Sequence, residues 1–207
     1  SPPPQISGFR IERELGRGAM GVVYLARQER LNRLVALKVV LAGSFATPDQ
    51  RLRFLMEAET AARIRHPNVV QVFEAGTHEG LPFLVIEYVA GGTLARALSQ
   101  GWKPKPPEAA RLMEQLAHAL HACHLHGIVH RDMKPGNVLL APAVADSHGQ
   151  AASVEAPPPE AAPAQCVPKV TDFGLAKRLF GDAAVTATGA VLGTPSYMAP
   201  EQATSNA

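Results

Sequence analysis

In the first part of the chain, apolar residues come in short runs broken by glycine and charge: FRIERELG, GVVYLARQ and LVALKVV between Phe9 and Val40. Runs of this length, rich in β-branched and aromatic residues and bounded by turn formers, predict three strands. TPDQRLRFLMEAETAARIRH then opens as a helix. Thr47 stands where a cap belongs, Pro48 at the first helical position, and Gln50 where it reciprocates on the cap. Leu52, Leu55 and Met56 follow at helical spacing. VVQVFEAG and LPFLVIEYV read as two more strands. Beyond Gly91–Gly92 the period lengthens. TLARALSQG is a short helix ending at Gly101, and PPEAARLMEQLAHALHACHLHG a longer one, with Met113, Leu116, Ala117 and Leu120 on one face and Gly127 as its stop. A β part and an α part meet near residues 87–93, and clefts between such parts are where ligands usually bind.

Two stretches break this order. Residues 141–168, APAVADSHGQAASVEAPPPEAAPAQCVP, are dominated by alanine, proline and small polar residues, the composition of a disordered insertion. In IVHRDMKPGNVLL, residues 128–140, the apolar Ile128–Val129 and Val138–Leu139–Leu140 have the pattern of buried segments. Between them lie His130, Arg131, Asp132, Lys134 and Asn137. Burying charge is costly unless it is paired or bonded, so this seam is the first candidate for chemistry.

Composition narrows the field. The 207 residues suffice for one large domain or two small ones, and 46% hydrophobic with 18% charged residues suits a globular core. A net charge of +2 argues for neither nucleic acid nor a membrane surface. Cys123 and Cys166 are too few and too distant to suggest a disulfide framework or a metal knuckle. His118, His121, His124 and His126 crowd around Cys123, but their spacing runs around more than one helix face and no second cysteine pair accompanies them, so zinc is not expected. There is no apolar run of about eighteen residues, and SPPPQISGFR lacks a signal-peptide pattern. The expectation is a soluble, cytoplasmic protein.

LGRGAMGVVYLA carries Gly16, Gly18 and Gly21 in G-x-G-x-x-G spacing. A dinucleotide fingerprint would need a helix next and an acid about twenty residues on. Here VVYLA predicts a strand, and residues 36–41 offer Lys38 and no acid. A hairpin covering phosphates fits better, because absent side chains let backbone N–H groups approach an anion.

With these residues in place, the chain resembles the eukaryotic-like (Hanks-type) protein kinases, and is similar in flavour to bacterial serine/threonine kinases. GRGAMGVV resembles the glycine-rich loop, VALK the lysine strand, FLMEAE the helix glutamate, VIEYVAGGTL the hinge and HRDMKPGN the catalytic loop. DFG at 172–174 and APE at 199–201 bound an activation segment. The resemblance covers residues 9–207 apart from the insertion. It implies an α+β, two-lobed kinase-like fold: residues 1–8 as a tail, an antiparallel β-sheet N-lobe with one main helix over 9–88, and a partial, mostly helical C-lobe over 89–207.

The resemblance also implies roles. Asp132 is the base that receives the substrate hydroxyl's proton, and Lys134 steadies the transferring phosphoryl group. Lys38 contacts the nucleotide phosphates and is held by Glu57. Asn137 and Asp172 hold Mg2+, with Mn2+ as a substitute. Gly16, Gly18 and Gly21 cover the phosphates of ATP. Val23, Ala36 and Leu139 sandwich adenine, Glu87 and Val89 offer it backbone hydrogen bonds, and Ile86 guards the pocket behind. His130 and Arg131 fix the loop. Metal, nucleotide and substrate would then complete the bonding of the polar residues at 130–137. Lys134 after Asp132, and Thr194 in GTPSYMAPE, fit the serine/threonine subclass. Thr186 and Thr188 sit where such kinases carry activating phosphates. The partners implied are proteins with serine or threonine hydroxyls, together with a second copy for autophosphorylation. The family continues past A-P-E with further helices, whereas this sequence ends at Ala207. The alternative expectation is therefore a non-catalytic nucleotide-binding or scaffold fragment.

Overall fold

The computed structural model describes residues 4–18, 21–41, 47–142, 165–173 and 197. They fall into two compact units. The first takes residues up to Arg65 together with Gln71–Tyr88; the second takes His66–Val70 and Val89–Phe173.

The first unit is built on strands β1 (Phe9–Gly18), β2 (Gly21–Gln28), β3 (Arg33–Val39), β4 (Val72–His78) and β5 (Leu81–Glu87), with helix α1 (Pro48–Ala62) between β3 and β4. The sheet is antiparallel in the order β1-β2-β3-β5-β4. Strand periodicity sends alternate residues to opposite faces. Val22, Tyr24, Ala26, Val35, Leu37, Val39, Phe83 and Val85 pack together on one of them. Ile6 is buried in the same cluster, so part of the stretch expected as a tail belongs to the core.

Helix α1 starts as the sequence predicts. Gln50 N–H donates to Thr47 Oγ1 and Thr47 N–H donates to Gln50 Oε1 at 2.8 Å, so each satisfies a donor the helix leaves open. Its buried face differs from the repeating row. Phe54, Ala58 and Ala61 are buried, while Leu52 and Met56 are 58% exposed. Both rows have helical spacing. The row with two alanines lets α1 lie close to β4, and its single ring fills the space.

The second unit contains α2 (Leu94–Ser99), α3 (Pro106–Leu125), a short 3-10 turn at Pro135–Asn137, and the antiparallel pair β6 (Val138–Pro142) and β7 (Cys166–Val170). The strand expected from Val69 begins at Val72 instead. Val69 bridges to Val170, and Val70 N–H donates to Val170 O in this unit. On α3 the buried residues are Leu116, Ala119 and Cys123, and Met113 and Ala117 are exposed, a rotation of the expected face. Val129 is 54% exposed, so Ile128–Val129 is not a buried strand; Val138 and Leu140 are buried as expected. The insertion read from composition begins too early and ends too late. Ala141 pairs with Val167 and Pro142 with Cys166, so residues 141–142 and 166–168 belong to the β6–β7 ladder. Residues 143–164 lie outside the described residues. No described helix is long and apolar enough to cross a membrane.

Candidate active site

Register brings one set of residues together in the first unit. Val23 is opposite Lys38, Leu25 opposite Ala36, Ala36 opposite Ile86, and Lys38 opposite Leu84. Directly opposed residues share a face, so Val23, Ala36, Lys38 and Ile86 line the face turned away from the Val22–Leu37 cluster. Lys38 is half-buried on an otherwise apolar surface. Glu57, also half-buried, is carried by α1, and Glu87 ends β5.

The three glycines at the β1–β2 turn differ in what they tolerate. A Cβ at Gly21 would stand 2.0 Å from Val39 O, so packing in the protein itself demands glycine there. A Cβ on Gly16 or Gly18 would meet nothing within 4 Å among the described residues. Neither internal packing nor a left-handed backbone accounts for those two.

In the second unit the polar seam forms a knot of hydrogen bonds. Asp132 N–H donates to His130 Nδ1 at 3.2 Å, so His130 Nε2 carries the proton and donates to Thr171 O at 2.8 Å. His130 is buried, and burial pushes its pKa below the ordinary value, with the Thr171 carbonyl acting in the opposite direction. Its ring tilts against Phe173 at 5.5 Å. Asn137 is buried and donates from Nδ2 to Asp132 O at 2.7 Å and to Asp132 Oδ2 at 3.1 Å. Asp132 Oδ2 also pairs with Lys134 Nζ at 2.9 Å. Thr171 N–H donates to Asn137 O at 3.0 Å, which brings the residue before Asp172 against the loop.

Burial within this seam is uneven. His130 and Asn137 are the deeply buried members, and protein atoms meet both ring nitrogens of His130 and the amide NH2 of Asn137; Asp132 and Lys134 are half-buried and Arg131 is exposed. Backbone strain gathers here as well. Arg131 (φ 60°) and Asp172 (φ 62°) adopt left-handed conformations that side chains normally avoid. Such residues cost about 1–3 kcal/mol each and persist where the surroundings enforce them.

Orientation also tests the fit of a hard cation. Both Asp132 atoms facing the Asn137 amide are acceptors, so its NH2 must point at them. That leaves Oδ1 as the ligating end. An amide oxygen and the Asp172 carboxylate are the donor chemistry magnesium prefers. Asn137 and Asp172 therefore fit the group expected of them.

Val89 is buried and Leu139, half-buried in β6, bridges to Thr93. Thr186, Thr188 and Thr194, the glycine of D-F-G and the A-P-E motif lie outside the described residues. The sequence reading missed Thr171, whose N–H and C=O both tie the loop. It missed Asn68, which donates to Pro168 O at 2.8 Å and holds β7. Both bonds join residues far apart in sequence, Asn68 to Pro168 and His130 to Thr171, so no local pattern signalled either.

Against known proteins, the profile described as the protein kinase domain matches residues 9–207. Serine/threonine-protein kinase PknB of Mycobacterium leprae is 36% identical over 206 residues, 97% of this chain and 30% of that protein. PknJ of Mycobacterium tuberculosis is 39% identical over 195 residues, 94% of this chain and 30% of that protein. The crystal structure of the Mycobacterium tuberculosis PknI kinase domain is similar with a TM-score of 0.63 at 27% identity, covering 83% of this chain and 62% of that one. The chain thus spans under a third of the length of these curated relatives.

Proposed function

The chain belongs to the protein kinase domain family, and on that premise we propose that it transfers the γ-phosphate of ATP to serine or threonine hydroxyls of proteins. The observation that carries this reading is the Asp132–Lys134–Asn137 knot. It fixes a carboxylate beside a cation on a loop anchored by His130. Phosphoryl transfer asks for positioning and for charge around a developing anion more than for covalent chemistry.

Asp132 accepts the proton of the incoming hydroxyl. Its backbone N–H bond to His130 and its contact with Asn137 hold the carboxylate while it does so. Lys134, already drawn to Asp132, shares its charge with the moving phosphoryl oxygens. Lys38 binds the nucleotide phosphates, and Glu57 orients it. Gly16, Gly18 and Gly21 let the main chain cover the phosphates. Val23, Ala36 and Leu139 bury adenine, and Glu87 and Val89 bond its edge. Asn137 and Asp172 hold Mg2+ or Mn2+, which when bound neutralises phosphate charge. Phosphate on Thr186 and Thr188, added by a second copy of the chain, adds nearly two charges per site that pair with Arg131 and raise activity. The cytoplasm, where ATP and magnesium are available, is the setting. The non-catalytic alternative is set aside because Lys38, Glu57, Asp132, Asn137 and Asp172 are all present.

The test is transfer of labelled phosphate from ATP–Mg2+ to a generic basic protein. Wild-type protein should label it, and Asp132→Asn should not. Equal labelling by both would overturn the assignment of Asp132.

A further inference from the structure

Gln71, half-buried between Val70 and Val72, uses both hydrogens of its side-chain amide and both polar groups of its backbone. Its Nε2 donates to Ala62 O at 3.0 Å and to Val72 O at 2.8 Å, using both amide hydrogens. Its backbone N–H donates to Glu87 Oε2 at 3.2 Å, and its carbonyl accepts from Glu87 N–H at 2.9 Å. The main-chain contact only extends the β4–β5 ladder by one rung beyond Val72 and Ile86. The side chain does something a ladder does not need.

Helix α1 ends at Ala62, and the last carbonyls of a helix have no partner within it. Arg63 N–H and Ile64 N–H close on Thr60 O and Ala61 O, each at 3.2 Å. The Ala62 carbonyl is met by Gln71, from outside the helix. Glu57 lies upstream on the same rigid rod, about 7.5 Å along its axis. Holding the end of the rod holds the depth and rotation of Glu57. At the other end of the contact, Glu87 is the last residue of β5, opposite Val35 of β3.

We infer that Gln71 is a positioning residue: it couples the end of the helix carrying Glu57 to Glu87, the β5 residue whose backbone faces adenine. The inference rests on the kinase reading for the roles of Glu57 and Glu87, but the linkage is a property of the fold. Nucleotide contact at Glu87 and the placement of Glu57 then bias each other, as any two linked sites must.

The test uses Gln71→Met, which keeps length and packing and removes both side-chain donors, with Gln71→Ala as a second variant. Hydrogen exchange on the full-length protein reads the link directly. Amides of residues 60–64 should exchange about tenfold faster, with β1–β3 unchanged. In phosphate transfer, KM for ATP should rise about fivefold while KM for the protein substrate holds. Unchanged exchange at 60–64 overturns the inference. So does faster exchange spread evenly over β1–β5, or an equal rise in both KM values, since either marks general loosening. A wild-type protein that binds no adenine nucleotide overturns the kinase reading alone, and exchange at 60–64 still decides the link.

Discussion

His130 shows what a single buried titratable group does to the second unit. Burial holds its pKa below the ordinary value of about 6.5. The unfolded chain then binds a proton that the folded chain refuses. Stability from neutral His130 is complete above about pH 6.5 and is lost as pH falls from there through the depressed folded value. His66, lowered by burial and then by His118 and Lys169, adds to the same window. Urea midpoints of the wild type should therefore drop between neutral pH and pH 5. The decline should be shallower in His130→Gln, and identical slopes would refute the account. Asp132, whose N–H donates to His130, belongs to the proposed chemistry. Its carboxylate is the proposed base, and general-base catalysis contributes about 10²- to 10⁴-fold. Asp132→Asn should lose phosphate transfer by that order while keeping its contact from Asn137, because an amide oxygen still accepts. Retained turnover with intact folding would remove Asp132 from the mechanism.

At the scale of the element, the β1–β2 hairpin separates structural from functional glycine. Gly21→Ala drives a methyl into Val39 O and should destabilise the first unit by about 1–3 kcal/mol, as overpacking does. Gly16→Ala and Gly18→Ala meet no atom of the described residues and should leave the thermal midpoint within error. They should weaken binding of an adenine nucleotide instead. Calorimetry paired with nucleotide titration checks both, and a midpoint loss at Gly16 or Gly18 equal to that at Gly21 would contradict the division. Helix α1 carries a similar local device. Thr47→Ala opens the capping box and should cost about 1 kcal/mol in denaturant unfolding.

For the molecule as a whole, the long connection between Pro142 and Cys166 is the clearest object of test. The ladder is complete up to that pair, so the hairpin can be closed by a short turn. Shortening the loop to about four residues lowers closure entropy by about 1.5 kcal/mol. A variant with an Asn-Gly turn there should keep its fold and its thermal midpoint or gain slightly. A large loss would show that residues 143–164 carry structure the hairpin needs. Regulation belongs to this scale too. Mass spectrometry after incubation with ATP should find phosphate on Thr186 and Thr188, and their double replacement by alanine should reduce activity. Undiminished activity would refute the switch.

The sequence alone determined whatever is local or repeated in register. Strand runs, the Thr47–Gln50 box and the order of the motifs from Gly16 to Glu201 depend on neighbours a few residues apart, so the chain states them directly. The proposed site residues were legible for the same reason: Asp132, Lys134 and Asn137 are close in sequence and meet on one turn. Tertiary structure decided what depends on distant partners. Two rows on α1 had helical spacing, and only contact with β4 chose Phe54, Ala58 and Ala61 over Leu52 and Met56. Val69 and Val70 looked like the start of β4 until Val170, a hundred residues on, took them as partners. Gln71 read as one polar residue in a strand, and nothing within the strand could announce its bonds to Ala62 and Glu87. Periodicity records which residues share a face; which face is buried, and what a polar side chain reaches, is fixed only when the rest of the chain arrives.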